Sequence, residues 1–194
     1  MRSTAVTATP LPVGSAVAAL ARCLFRTLML LSRNRIRVPA GNRGLRLGFA
    51  DGTSATVFRE TVIERPAPRD PCVLVVRFEL RAVHGRGHAW FRRESLLNTL
   101  LFAGFPGLIS KLWLTDDQRG RYRGLYEWDG PESAAAYARA LWWVLALVSV
   151  PGSIDYHVVP GPHRADLFDA VRRDAAGAGA QWWRVTEIGS LSGG

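Results

Sequence analysis

Several residue types and patterns are scarce in this 194-residue chain, and each scarcity excludes a class of protein. Cys23 and Cys72 are the only cysteines, too few for the disulfide framework of a small secreted domain, so we expect a reducing, cytoplasmic location. The longest largely apolar run, Leu141–Val150, has ten residues, fewer than the ~20 that a membrane-spanning helix needs. Glycine-rich phosphate loops and serine nucleophile elbows are missing, which leaves nucleotide, flavin and hydrolase chemistry without support.

Lysine is scarce too, and so are acidic residues near the N-terminus. Only Lys111 is a lysine among the 25 basic residues, and the formal charge is +9. Residues 1–50 hold eight arginines without one Asp or Glu, whereas the remaining 17 basic and 16 acidic residues nearly cancel. The positive charge is therefore local to the N-terminal segment. Because that segment has few interleaved aromatic residues and the rest of the chain is neutral, we predict no nucleic-acid partner.

Composition and length favour one globular domain, since 48% of the residues are hydrophobic and 21% are charged. Proline- and glycine-rich stretches divide the chain into four parts. We expect a disordered N-terminus (1–12), an extension with a helix and a β-hairpin (13–70), a core domain (71–161), and a C-terminal helix and tail (162–194).

The N-terminal extension begins with a helical pattern over 13–32, which Arg22 and Arg26 interrupt. Asp51-Gly52 then predicts a tight turn between strands at 45–50 and 53–64. A basic amphipathic helix can lie on an anionic membrane surface. We favour a helix packed on its own core or across the dimer, because its large apolar side chains need covering. These side chains are Leu20, Leu24, Phe25, Leu28 and Leu31.

The core domain has the element order βαββαβ, which predicts a ferredoxin-like α+β fold. Its strands are expected at 73–83, 108–115, 121–128 and 153–159, and its helices at 89–103 and 130–150. A short helix over 164–173 and an edge strand over 181–188 follow. Both core helices cover the same face of such a sheet. The other face must then meet a partner sheet or a ligand.

Short turn, strand and helix-start motifs lie between Phe105 and Val159. They are Pro106-Gly107, Lys111-Leu112-Trp113, Gly124-Leu125-Tyr126-Glu127-Trp128, and Ser133-Ala134 with Ala136-Tyr137. Together they resemble the YdhR-like monooxygenase family of the dimeric α+β barrel superfamily. The resemblance implies a homodimer whose two sheets pack into a barrel, with a pocket for an apolar or aromatic molecule in each protomer. Relatives in the superfamily include cofactor-free oxygenases, cyclases, isomerases and heme-degrading enzymes, and fold membership does not choose among them.

The candidate catalytic residues are Arg77, Glu79, Asp155 and His157. Strand alternation places the first two on the barrel face of one core strand and the last two on the barrel face of another. A carboxylate two residues from a histidine can orient the imidazole and raise its basicity, and Arg77 can stabilise an enolate oxygen. Such a set can deprotonate a carbon acid. Paired charges in a dimer interface are the simpler interpretation, which we favour.

A second set of candidates is expected to bind the substrate. Trp113, Tyr126 and Trp128 line one predicted hairpin, either as an aromatic wall for a flat ligand or as ordinary core. The full substrate-binding set is Val73, Val75, Lys111, Trp113, Tyr126 and Trp128.

A metal site is not expected. His84, His88 and Glu94 are the nearest approach to one, but Gly85 and Gly87 make that segment a loop without fixed helical geometry. We therefore predict a cofactor-independent enzyme that acts on a hydrophobic, polyketide-like or aromatic molecule in the barrel cavity. The alternative is a non-catalytic protein of the same fold that binds a hydrophobic ligand or a partner. Converging polar groups in the cavity would favour the enzyme.

Overall fold

The computed structural model describes residues 11–81, 102–173 and 179–190. The strands are β1 (Ile36–Arg37), β2 (Leu45–Phe49), β3 (Ser54–Ile63), β4 (Pro71–Glu79), β5 (Leu108–Leu114), β6 (Arg121–Asp129), β7 (Asp155–Pro160) and β8 (Val185–Ser190). The helices are α1 (Val13–Ser32), α2 (Pro131–Val148) and α3 (Arg164–Arg172). Each was predicted to within a few residues, apart from the two-residue β1. The helix predicted at 89–103 falls almost wholly outside the described residues.

The strands form one curled antiparallel sheet in the order β7-β4-β6-β5-β3-β2-β8, with β1 paired to β3. The two strands β4 and β5 run parallel with β6 between them, because each pairs antiparallel with β6. The same relation holds for β6 and β7 around β4. This is the strand order of a ferredoxin-like sheet. The molecule is therefore a mixed α+β protein whose sheet is consistent with that fold.

The predicted hairpin between β2 and β3 forms at Asp51-Gly52. Gly52 has a φ of +78°, a conformation that only glycine adopts without strain. The carboxylate of Asp51 accepts hydrogen bonds from the backbone N–H of Thr53 at 3.2 Å and from its hydroxyl at 2.6 Å. The local sequence thus encodes both the turn and the hydrogen bonds that stabilise it.

Side chains of β4 alternate between two apolar cores, as its sequence predicts. Leu74 and Val76 lie on the helix side of the sheet, in the same buried cluster as Tyr137 of α2. Val73 and Val75 lie on the opposite, inner face of the curled sheet, in a second cluster. The position of each candidate residue follows from this alternation.

The inner face is covered by the chain itself, which corrects the expectation of an open barrel cavity. Leu47 of β2, Val57 of β3, Phe168 of α3 and Val185 of β8 lie in the same buried cluster as Val75, and each is at most 6% exposed. Two described grooves lie elsewhere. One of about 410 Å³ is lined mainly by residues 64–69, and one of about 320 Å³ lies between α1 and α2. The core strands alone predict an open face, because the segments that cover it (the β2–β3 hairpin, α3 and β8) lie outside the predicted core. A homodimer stays a prediction, but its interface cannot be the inner face, which the chain itself covers.

Helix α1 packs on the molecule through small side chains, among them Ala16, Cys23 and Thr27. The approach is close, because a Cβ on Gly104 would lie within 2.0 Å of the Cys23 carbonyl oxygen. Of the five large apolar side chains named above, Leu20 packs on the core of its own chain, as does Leu30, whereas the other four do not. Cover of these four across a dimer stays a prediction. The exposed four are Leu24, Phe25, Leu28 and Leu31. Only one side of a helix can face a core, and here the small residues occupy it.

Among the described helices, α1 is long and apolar enough to cross a membrane by those two measures alone. The sequence did not predict it as such a helix, because its apolar residues do not form an uninterrupted run. Arg22 and Arg26 lie within the helix.

Candidate functional site

Lys111 lies in a box of aromatic rings between the sheet and the helices. Strand β5 directs Lys111 and Trp113 to the helix side, where the Lys111 Nζ is 3.2 Å from the centroid of the Trp113 ring. The same atom is 4.5 Å from the Phe102 ring and 4.7 Å from the Tyr126 ring. The residue is only 6% exposed. We call these four residues the lysine box.

Burial changes the protonation of the box. Desolvation lowers the pKa of the Lys111 amine well below its ordinary value, and the nearby Arg59 guanidinium lowers it further. Among the described residues, no carboxylate pairs with this amine. The shift favours the neutral form of the amine relative to a lysine in water, and a neutral amine is a base and a nucleophile.

Two tyrosines support the box with protonated phenols. Burial raises the pKa of both Tyr126 and Tyr137, whose hydroxyls lie 3.3 Å apart. The Trp113 indole N–H donates to the hydroxyl of Thr61 at 3.2 Å, which fixes the plane of the ring nearest the amine. The geometry around Lys111 is thus held by packing and hydrogen bonds on three strands, as precise placement of a reactive group requires.

The aromatic residues predicted to bind substrate are all on this side of the sheet. Trp113 and Tyr126 contact the amine, whereas Trp128 is fully buried with its ring 5.0 Å from that of Tyr137 and acts as core. Val73 and Val75 are on the inner face. The structure therefore brings Lys111, Trp113 and Tyr126 together and separates the two valines from them.

The predicted catalytic residues reach the inner face, where Arg77 and Asp155 pair within the chain and His157 has an aromatic partner. Asp155 binds Arg77, with its Oδ2 2.5 Å from Nη2 and 3.2 Å from Nε. The ring of His157 stacks on Trp183 at 4.2 Å between centroids and 7° between planes. Burial lowers the pKa of the His157 imidazole. Asp155 thus neutralises Arg77, and the expected carboxylate–imidazole pair is not formed. Glu79 is positioned at the strand end, where its backbone N–H lies 3.2 Å from the Ser153 hydroxyl.

A network of charges continues from Arg77 across one end of the curled sheet. Asp51 accepts from Arg77 at 3.5 Å and from Arg123 at 2.6 Å, and Asp117 accepts from Arg123 at 2.7 Å. The Arg77 guanidinium also lies 4.4 Å from the ring of Trp182, next to β8. Sequence reasoning missed Asp51, Asp117 and Arg123. These contacts join sheet strands far apart in sequence, which fits a structural role.

The other end of the barrel holds a second network that the sequence did not reveal. His163 Nδ1 lies 2.8 Å from Glu127, the one histidine–carboxylate contact within the described ranges. The neighbouring Arg164 binds the buried Glu60 at 2.5 Å and the hydroxyl of Ser110 at 2.9 Å. His163 was not predicted as a site residue because it lies in a loop, after two prolines. It marks the start of α3, where it forms a capping box with Asp166.

The described residues contain no group of three or more His, Cys, Asp or Glu that could hold a metal ion. His84, His88 and Glu94 lie outside those residues, so the structure does not test them. The candidate site that remains is the lysine box.

No protein-family model matches the chain, and no curated protein does. A solved structure from Listeria monocytogenes, an uncharacterized ferredoxin fold protein related to antibiotic biosynthesis monooxygenases, aligns with a TM-score of 0.42 and 14% identity. The match covers 58% of this chain and 66% of that one, slightly less than two thirds of its length. At this level of similarity the match supports no functional argument.

Proposed function

We propose that the protein is a cofactor-independent enzyme that removes a proton from a hydrophobic aromatic ketone, with the Lys111 amine as the base. The observation that carries this is the buried amine itself, which aromatic rings surround and no described carboxylate neutralises. A buried ionisable group without a charged partner lowers the stability of the fold. Groups of this kind concentrate at functional sites.

The chemistry follows from the charge state of the amine. A neutral amine accepts the proton from the carbon next to the ketone, becomes an ammonium, and leaves the electron pair on the substrate as an enolate. The charge of Arg59 acts on the Lys111 amine, and its guanidinium is 5.1 Å from the Trp113 ring centroid. A positive charge on this side of the sheet stabilises an enolate oxygen that forms beside the amine. Trp113 and Tyr126 supply flat apolar surfaces for an aromatic substrate.

The lysine box replaces the barrel interior as the proposed site. The inner face is packed with the chain's own side chains, and its polar groups are engaged with one another. His157 is stacked face to face on Trp183, which leaves little of its ring for a substrate. Lys111 is itself only 6% exposed, so it is the lack of a described carboxylate partner and the contact with aromatic rings, and not openness, that favour Lys111 over His157 as the base.

The test is hydrogen exchange of 2-tetralone, a bicyclic aromatic ketone, in deuterated buffer. We expect the wild-type protein to accelerate exchange of the α-protons, measured by NMR, and Lys111→Met to reduce this by about 10²–10⁴-fold, as loss of a general base does. His157→Gln is the matched control and should keep the activity. Loss of activity in His157→Gln with full activity in Lys111→Met would overturn the assignment.

The alternative function is a non-catalytic protein that holds a hydrophobic ligand in the same box. Trp113 lies in the box, so tetralone binding should change tryptophan fluorescence in either case. Binding without faster exchange would identify a carrier and contradict the enzyme. If the protein shows neither binding nor exchange, Lys111 is only a buried residue of the core.

A further inference from the structure

Helix α1 presents a continuous apolar surface to solvent on the side away from the core. Its exposed large side chains include Phe25 at 66%, Val17 at 60% and Leu28 at 52%. Leu24 and Leu31 are exposed on the same side. Monomeric proteins seldom leave a contiguous apolar patch of this kind uncovered, and such patches mark interaction sites. We call it the α1 outer face.

Positive charge surrounds the α1 outer face. Arg22 and Arg26 lie along one flank of the helix, and Arg33 follows its C-terminal end; all three are exposed. Among the described residues, none of these three arginines has an ion-pair partner. Residues 1–50 contain no acidic residue at all. A partner must therefore offer apolar contact together with negative charge.

These two properties distinguish the possible partners. A second copy of the chain would place two arginine-rich segments against each other around the same face, and such like charges oppose association. Spanning a bilayer would require α1 to leave its contacts through Ala16, Cys23 and Thr27, and would bury Arg22 and Arg26 in lipid. An anionic lipid surface meets both requirements with the helix in place, because acyl chains accept the apolar face and headgroups accept the arginines.

We propose that the α1 outer face binds the surface of an anionic phospholipid membrane. The helix lies in the plane of the interface, with Phe25 and Leu28 inserted and Arg22 and Arg26 at the level of the phosphates. The inner side of α1 stays packed on α2 and the sheet. This proposal uses a surface separate from the lysine box and does not depend on the proposed function.

The experiment is flotation of the full-length protein with phosphatidylcholine vesicles, with and without phosphatidylglycerol. We expect binding that is stronger on the anionic vesicles and weakened by salt. Arg22→Gln with Arg26→Gln should weaken it by about five-fold per arginine. Phe25→Ser with Leu28→Ser should weaken it by at least about ten-fold. Leu147→Ser is the matched control, because Leu147 is 79% exposed on a different helix, and it should bind like wild type.

The outcomes separate membrane binding from its alternatives. Wild-type protein that does not float with anionic vesicles would overturn the proposal, as would equal binding by all variants. Self-association that Phe25→Ser with Leu28→Ser abolishes, without any vesicle binding, would identify a homodimer interface instead. Because the substituted positions are exposed, thermal unfolding should confirm that every variant is folded.

Discussion

The guanidinium of Arg123 is completely enclosed, and carboxylates of Asp51 and Asp117 neutralise it. Removing one partner of a buried pair leaves a charge without compensation, so we expect Asp117→Ala to lower the free energy of unfolding by about 3–5 kcal/mol. Asp117 also accepts hydrogen bonds from the backbone N–H groups of Arg119 and Arg121 in the turn, which adds to the loss. Urea denaturation measures the change.

The control for this prediction is the half-exposed pair of Arg172 and Asp169 on α3. Surface ion pairs contribute about 0–1 kcal/mol, so Asp169→Ala should change stability little. Similar losses in Asp117→Ala and Asp169→Ala would contradict a special role for the enclosed guanidinium.

The lowered pKa of Lys111 makes stability depend on pH. Above that pKa the folded protein has lost a proton that the unfolded chain keeps until its ordinary lysine pKa of ~10.4. The unfolded state therefore binds more protons, and the contribution of Lys111 to stability rises with pH in that range. We expect Lys111→Met to be more stable than wild type at neutral pH. The difference should shrink as pH rises, by up to about 1.4 kcal/mol per pH unit.

Urea denaturation of both proteins at several pH values measures this difference, and it cancels the titration of all other groups. Lys111→Met has nearly the same volume, so packing should change little. Parallel stability curves for the two proteins would show that the amine titrates in the folded state as it does in water.

At the scale of elements, α3 is the segment that covers the inner face of the sheet. Phe168 is its buried residue, and the ion pair between Arg164 and Glu60 fixes its start. We expect Phe168→Ala to lower the free energy of unfolding by about 3–5 kcal/mol, as truncation of a buried aromatic does. Leu147→Ala, at an exposed position of α2, should cost little. Thermal unfolding compares the two, and equal melting temperatures would mean that α3 does not form part of the core.

At the scale of the whole molecule, the curled sheet encloses a filled core where a ligand cavity was expected. Val75 is 1% exposed at its centre. We expect Val75→Trp to lower the free energy of unfolding by about 1–3 kcal/mol, because overpacking strains a dense core. The control Val38→Trp is at a 59% exposed loop position and should be neutral. A Val75→Trp protein as stable as wild type would reveal room for a ligand inside the barrel.

Much of the fold could be predicted from local patterns. The two faces of β4 followed from strict alternation, and the turn at Asp51-Gly52 followed from the backbone freedom of one glycine. The faces of Asp155 and His157 were also correct, since a strand fixes the side of every residue once one is known. Their partners were not predictable, because Asp155 and Arg77 are 78 residues apart and meet only through the pairing of β4 with β7.

The sequence by itself determined the element order, the strand faces, the local excess of arginine and the presence of a single lysine. These are properties of short segments, and the periodicity of strands and helices carries them. Tertiary structure decided that the hairpin, α3 and β8 fill the inner face, that aromatic rings enclose Lys111, and that the large apolar side chains of α1 face solvent. Each of these depends on which segments compete for the same surface, and that competition is settled only when the whole chain packs.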